Sequence, residues 1–158
     1  MSAGWELVDH TADVVVRAFG PSREEVFEQA ALATVSLQYD VAPVRPAERF
    51  SVELGAPDAE LLLAAWLNEL LFLIEARHLV FARFEVESVG EAVAPAGPGA
   101  EGAVRPAGRQ VHLRATAVGE AYDGRRHAVR SVVKAATLHG LSLREVPGGW
   151  EGHVLLDV

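Results

Sequence analysis

The chain has no cysteine, a single methionine and, along its 158 residues, one lysine (Lys134) and one asparagine (Asn68). Without cysteine there is no disulfide framework, thiolate metal site or thiol nucleophile, so any metal ion must be held by oxygen or imidazole. Basic charge is also short. Fourteen Lys and Arg against 22 Asp and Glu give a net charge of −8, the wrong sign for steering the molecule onto phosphate backbones, so stable direct nucleic-acid binding is not expected. The most apolar stretch, Leu61 to Ile74, is broken by Asn68 and Glu69. It falls short of the ~20 clean residues of a membrane span. Met1 to Leu7 lacks the basic start and apolar core of a secretory peptide. These absences set the expectation of a cytoplasmic protein that does not engage a membrane. A phosphate-binding glycine loop is missing too: Gly97, Gly99 and Gly102 share its composition, but no strand feeds them and no helix follows.

What is present reads as one folded domain spanning residues 1–158, with 50% hydrophobic and 23% charged residues. Trp5 to Val8 and Val14 to Phe19 are strand-like and flank the polar turn Asp9-His10-Thr11-Ala12-Asp13. Ser22 followed by Glu25 has capping-box spacing and predicts a helix to about Leu37. Phe50, Val52 and Leu54 alternate as a strand, and Asp58 N-caps a second, core-filling helix through about Arg77. Val80 to Val86 and Val111 to Ala117 alternate again, the latter stopping at Gly119. Between them Gly90 to Gly108 is almost all Gly, Ala, Pro and Glu, so residues 90–109 read as a flexible hairpin loop. Ser131 to His139 before Gly140 fits a short helix with a glycine cap, although Val132, Val133 and Thr137 keep a strand open. Leu141 to Val146 and Trp150 to Val158 form strands joined by Pro147-Gly148-Gly149. Paired strands around two long helices imply an α+β class: a single two-layer domain, its mixed or antiparallel sheet packed against two main helices.

Two segments could carry chemistry. Asp9-His10-Thr11-Ala12-Asp13 gathers two carboxylates and an imidazole, and turn capping accounts for it as well as a site does. At the other end Asp157 and the α-carboxylate of Val158 share a strand end, unless that end is simply frayed. Were the two segments together, three like charges would call for a cation, and oxygen-only ligation selects Ca²⁺ or Mg²⁺. Periodicity does not place them together. Lys134 lies among Val132, Val133, Ala135 and Ala136, where its ammonium either meets an anion or snorkels to solvent. Glu120 is a possible partner for it. Trp66, Leu67, Leu70 and Leu71 read as core, with Asn68 and Glu69 at a helix edge or satisfying loop backbone. His127 and His139, with no second ligand at zinc spacing, read as surface or capping histidines.

These blocks together resemble the archease family: the opening Asp9-His10-Thr11-Ala12-Asp13, the helix Trp66-Leu67-Asn68-Glu69-Leu70-Leu71, Gly119-Glu120, His127, Val133-Lys134-Ala135-Ala136-Thr137-Leu138-His139 and the terminal Asp157-Val158. The blocks run in the family's order from residue 5 to 158. The resemblance implies a metal-binding accessory protein, not itself an enzyme, that activates RtcB-type tRNA-splicing ligases by promoting guanylylation and repeated turnover. It implies a metal site at Asp13, Asp157 and Val158, with Lys134 beside it; His10, in the opening turn, is a further candidate functional residue. Ca²⁺ is the foremost ion, with Mg²⁺ or Mn²⁺ as alternatives. Family members often carry an acidic residue where this chain has Val132. Two other readings stand against this one: a metal-dependent hydrolase with phosphoesterase-like chemistry, and a general protein chaperone.

Overall fold

A computed structural model describes residues 1–9, 13–94, 97–98, 104–105 and 108–158. Its elements are β1 (Gly4–Asp9), β2 (Val14–Gly20), α1 (Arg23–Gln38), β3 (Glu48–Ala56), α2 (Ala59–Arg77), β4 (Leu79–Ala94), β5 (Gly97–Pro98), β6 (Val104–Arg105), β7 (Gly108–Ala121), β8 (Ala135–Val146) and β9 (Gly149–Asp157). The class is α+β. The strands divide between two main antiparallel sheets, ordered β1-β2-β9-β8 and β3-β7-β4, with β5 and β6 forming a separate small pair.

Both helices start where local chemistry tells them to. The Ser22 hydroxyl accepts the Glu25 N–H at 3.2 Å, the N-cap half of a capping box, and donates to the Glu25 carboxylate at 3.0 Å. Asp58 accepts the Leu61 N–H at 2.8 Å. Each helix then packs on the face of one sheet and along the edge of the other. Helix α1 lies on β1, β2 and β9 and touches the edge strand β4; α2 lies on β3, β4 and β7 and touches the edge strand β8. Trp66, fully buried, joins the helices by donating from Nε1 to the Phe27 carbonyl at 2.9 Å.

The exposed backbone of those edges is met by helix side chains instead of another strand. Along β4, Glu28 accepts the Val86 N–H at 3.0 Å and Glu24 accepts the Val89 N–H at 3.1 Å, beside the bulge between Val86 and Ser88. At its first bulge, between Phe81 and Arg83, the buried Tyr39 hydroxyl donates to the Phe81 carbonyl at 3.1 Å and accepts the Phe81 N–H at 2.6 Å. Burial raises that phenol's pKa.

Three expectations need correction. The β4–β7 ladder runs on to Ala94 opposite Gly108, so both ends of the 90–109 segment are strand; residues 95–96, 99–103 and 106–107 of that segment lie outside those described. Gly119 does not stop β7. It lies inside the strand where β4 bulges toward it, and a Cβ there would run into the Val80 carbonyl. Finally, no helix forms over 131–139: β8 begins at Ala135, and Gly140, with φ of 68°, sits in the irregularity between Thr137 and Ser142. The positive φ that suits a helix cap suits a bulge equally, and the β-branched neighbours favour the strand. The Pro147-Gly148 turn is as expected, with Gly148 at φ 85° and Val146 paired to Gly149.

Candidate functional site

Strand register brings together segments that are far apart in sequence. In β2 and β9, Val14 pairs with Leu156 and Val16 with Val154. Val16, Ala18, Val154 and Leu156 are buried under α1, so by alternation Asp13, Val15 and Arg17 face outward with Asp157, Leu155 and His153. Continuing the register by one residue sets Asp13 beside Asp157. On the other side of β9, Asp157 pairs with Ala135, and its carbonyl accepts the Lys134 N–H at 2.8 Å. Asp13, Asp157 and Lys134 therefore share one end of the sheet, with Val158 next to Asp157. His10 lies outside the described residues.

The two ends of this outer face differ in electrostatics. Toward the hairpin end, Arg17 holds Glu151 through Nε at 2.8 Å and meets Glu6 at 3.2 Å, while His153 Nε2 lies 2.7 Å from Glu151. The Arg17 guanidinium, then His153, brings the Glu151 pKa down to about 2. At the other end no described residue pairs with the carboxylate of Asp13 or Asp157, or with the Lys134 ammonium. Asp13 and Asp157, both half-buried, hold facing positions once the register is continued, and their oxygens are of the type that could hold a hard cation. No group of three or more His, Asp or Glu side chains able to hold an ion occurs among the described residues. A cation here would thus need a further oxygen, such as the Val158 carboxylate, or water.

Glu120 departs from expectation, and His127 takes the capping alternative instead of the surface one. Glu120 is not a partner of Lys134: it takes both guanidinium nitrogens of Arg126, the Arg45 N–H at 2.8 Å and His127 Nε2 at 2.9 Å. Arg126 foremost, then the Arg45 N–H, lowers its pKa to about 2. His127 is no surface histidine, because its side chain is fully buried. Its Nδ1 accepts the Asp123 N–H at 2.8 Å, which places the ring proton on Nε2, donating to Glu120. With both nitrogens committed, it braces the loop between β7 and β8. His139 is exposed, as expected.

Sequence reasoning missed Gln38. Its carbonyl accepts the N–H groups of Arg130 and Ser131 at 2.7 and 3.4 Å, and its Oε1 accepts that of Val133 at 3.0 Å. A polar residue at a helix end carries no spacing signal that would reveal this. Asn68 was more legible, as a lone amide in an apolar helix. It accepts the Ala136 N–H at 2.8 Å and donates to the Ala136 carbonyl at 3.0 Å.

No helix among the described residues is long and apolar enough to cross a membrane. The family profile described as "Archease protein family (MTH1598/TM1083)" matches residues 5–158. The protein archease of Methanosarcina mazei is 36% identical over 154 residues, covering 98% of this chain and 95% of the relative. That of Pyrococcus furiosus is 30% identical over 155 residues, covering 98% of both. The solution structure of Methanobacterium thermoautotrophicum protein 1598 superposes with a TM-score of 0.74 at 32% identity, over 98% of this chain and 99% of the other. The chain belongs to the archease family.

Proposed function

We propose that this chain is a metal-binding accessory protein that activates an RtcB-type tRNA-splicing RNA ligase, promoting its guanylylation and multiple turnover. Family membership supports the class. The observation that carries the reading is the convergence of Asp13 with Asp157 and Lys134 at one sheet end, the first separated from the other two by most of the chain.

The oxygens of Asp13 and Asp157 are the donors for a hard divalent ion, Ca²⁺ foremost. Bound there, such an ion supplies a dication that neutralises the pair and can meet phosphate oxygens. Lys134, solvent-exposed at its side chain, adds a positive group beside them. Val132, 66% exposed, offers no carboxylate, so in this chain the acidic donors must come from the two strand ends. A net charge of −8 favours encounter with a basic protein surface over encounter with RNA.

The test incubates the protein with an RtcB-type ligase, GTP, Mn²⁺ and broken RNA, and counts products per ligase. Many turnovers with the protein, and about one without it, support the reading. An unchanged count refutes it. Hydrolysis of model phosphoesters by the protein alone would favour the hydrolase alternative.

A further inference from the structure

Resting on the reading of Lys134 as part of that corner, we infer that Gln38 and Asn68 are positioning residues that fix the root of Lys134 from two different helices. Residues 129–134 belong to no regular element of length, yet their backbone is held almost throughout. Gln38, the last residue of α1, takes Arg130 and Ser131 on its carbonyl and Val133 on its side chain. The Lys134 N–H goes to Asp157, and the next tie is at Ala136, where Asn68 of α2 takes the N–H and returns a donor to the carbonyl. The Asn68 amide thus replaces, for one residue, the neighbouring strand that the edge strand β8 lacks.

The arrangement leaves the ammonium without a partner among the described residues while its backbone is pinned on both sides. A flexible side chain of four methylenes reaches a defined place only if its Cα does, and small displacements of a charged group weigh heavily where geometry matters. Sheet-edge protection alone would be met by any acceptor, whereas Asn68 supplies a matched donor and acceptor. It does so as a weak helix former in a helix made mostly of Leu, Ala and Glu. Gln38 Nε2 is buried and has no partner among the described residues, so what this side chain contributes is its oxygen.

Lys134 is the only lysine, so reductive methylation with isotopically labelled methyl groups yields one side-chain signal besides the α-amine. Ca²⁺ alone is the probe. In the unaltered protein the Lys134 signal should move on Ca²⁺ addition. In Asn68→Ala and Gln38→Leu, each keeping a native far-UV spectrum, that movement should fall by about half or more, with Ca²⁺ affinity by calorimetry little changed. Gln38→Glu, which keeps the acceptor for Val133, should restore it. A response in both variants equal to that of the unaltered protein overturns the positioning role alone. A signal that ignores Ca²⁺ in the unaltered protein overturns the reading of the corner, and this inference with it.

Discussion

At the scale of single residues, the carboxylates divide into those whose charge the protein has already answered and those it has not. Glu120 and Glu151 sit near pKa 2, against an ordinary 4.5, because guanidinium groups hold their ionised forms. Their folded values lie below the unfolded ones, so they support the fold fully above about pH 4.5 and lose that support as pH falls from there toward 2. Acid unfolding followed by calorimetry should therefore show stability dropping across this window, and Glu120→Gln should flatten the drop. An identical slope in that variant would mean that the Arg126 pairing does not survive in solution. Trp66 is answered by packing. Trp66→Ala removes a fully buried indole and its hydrogen bond to the Phe27 carbonyl, and should cost about 3–5 kcal/mol in urea titrations. A near-neutral result would contradict its placement between the helices.

Among the elements, legibility followed range. Both helices were readable because Ser22 and Asp58 cap the residues three positions on, which is chemistry confined to one turn. The final hairpin was readable because Pro147-Gly148 specifies its own turn. The extension of β4 into a Gly- and Ala-rich stretch was not, since its pairing with β7 overrides weak local preference. Residues 131–139 failed for the same reason: Gln38 and Asn68, distant in sequence, decide the path. His127 looked like surface beside two arginines because its partner Glu120 is seven residues away. Within this frame Gly119 is the sensitive point of the second sheet. Gly119→Ala should force β4 and β7 apart at the bulge and lower Tm by several degrees, ~2 kcal/mol or more, while Gly90→Ala, with open space around it, should change Tm little. Equal melts for the two variants would show that the close approach at Val80 is not kept in solution.

Over the whole molecule, two helices each serve one sheet's face and the other's edge, and among the described residues no helix covers the outer face of the first sheet. Composition foretold the acidic surface, and the family resemblance named Asp13, Asp157 and Lys134. Only register sets the first two side by side, because the chain between them contains nearly every other element. A protein of net charge −8 that works by docking on a basic partner should stimulate it less as salt rises, in assays from low to about 0.5 M ionic strength. Stimulation independent of salt would rule out electrostatic docking. The most direct test of the central claim is calorimetric titration of Ca²⁺ into the protein and into Asp13→Ala and Asp157→Ala. The account predicts one site in the unaltered protein, and in each variant an affinity lower by about tenfold or more with the fold intact. Unchanged Ca²⁺ binding in either variant would contradict it, because the two strand ends would then not form one site.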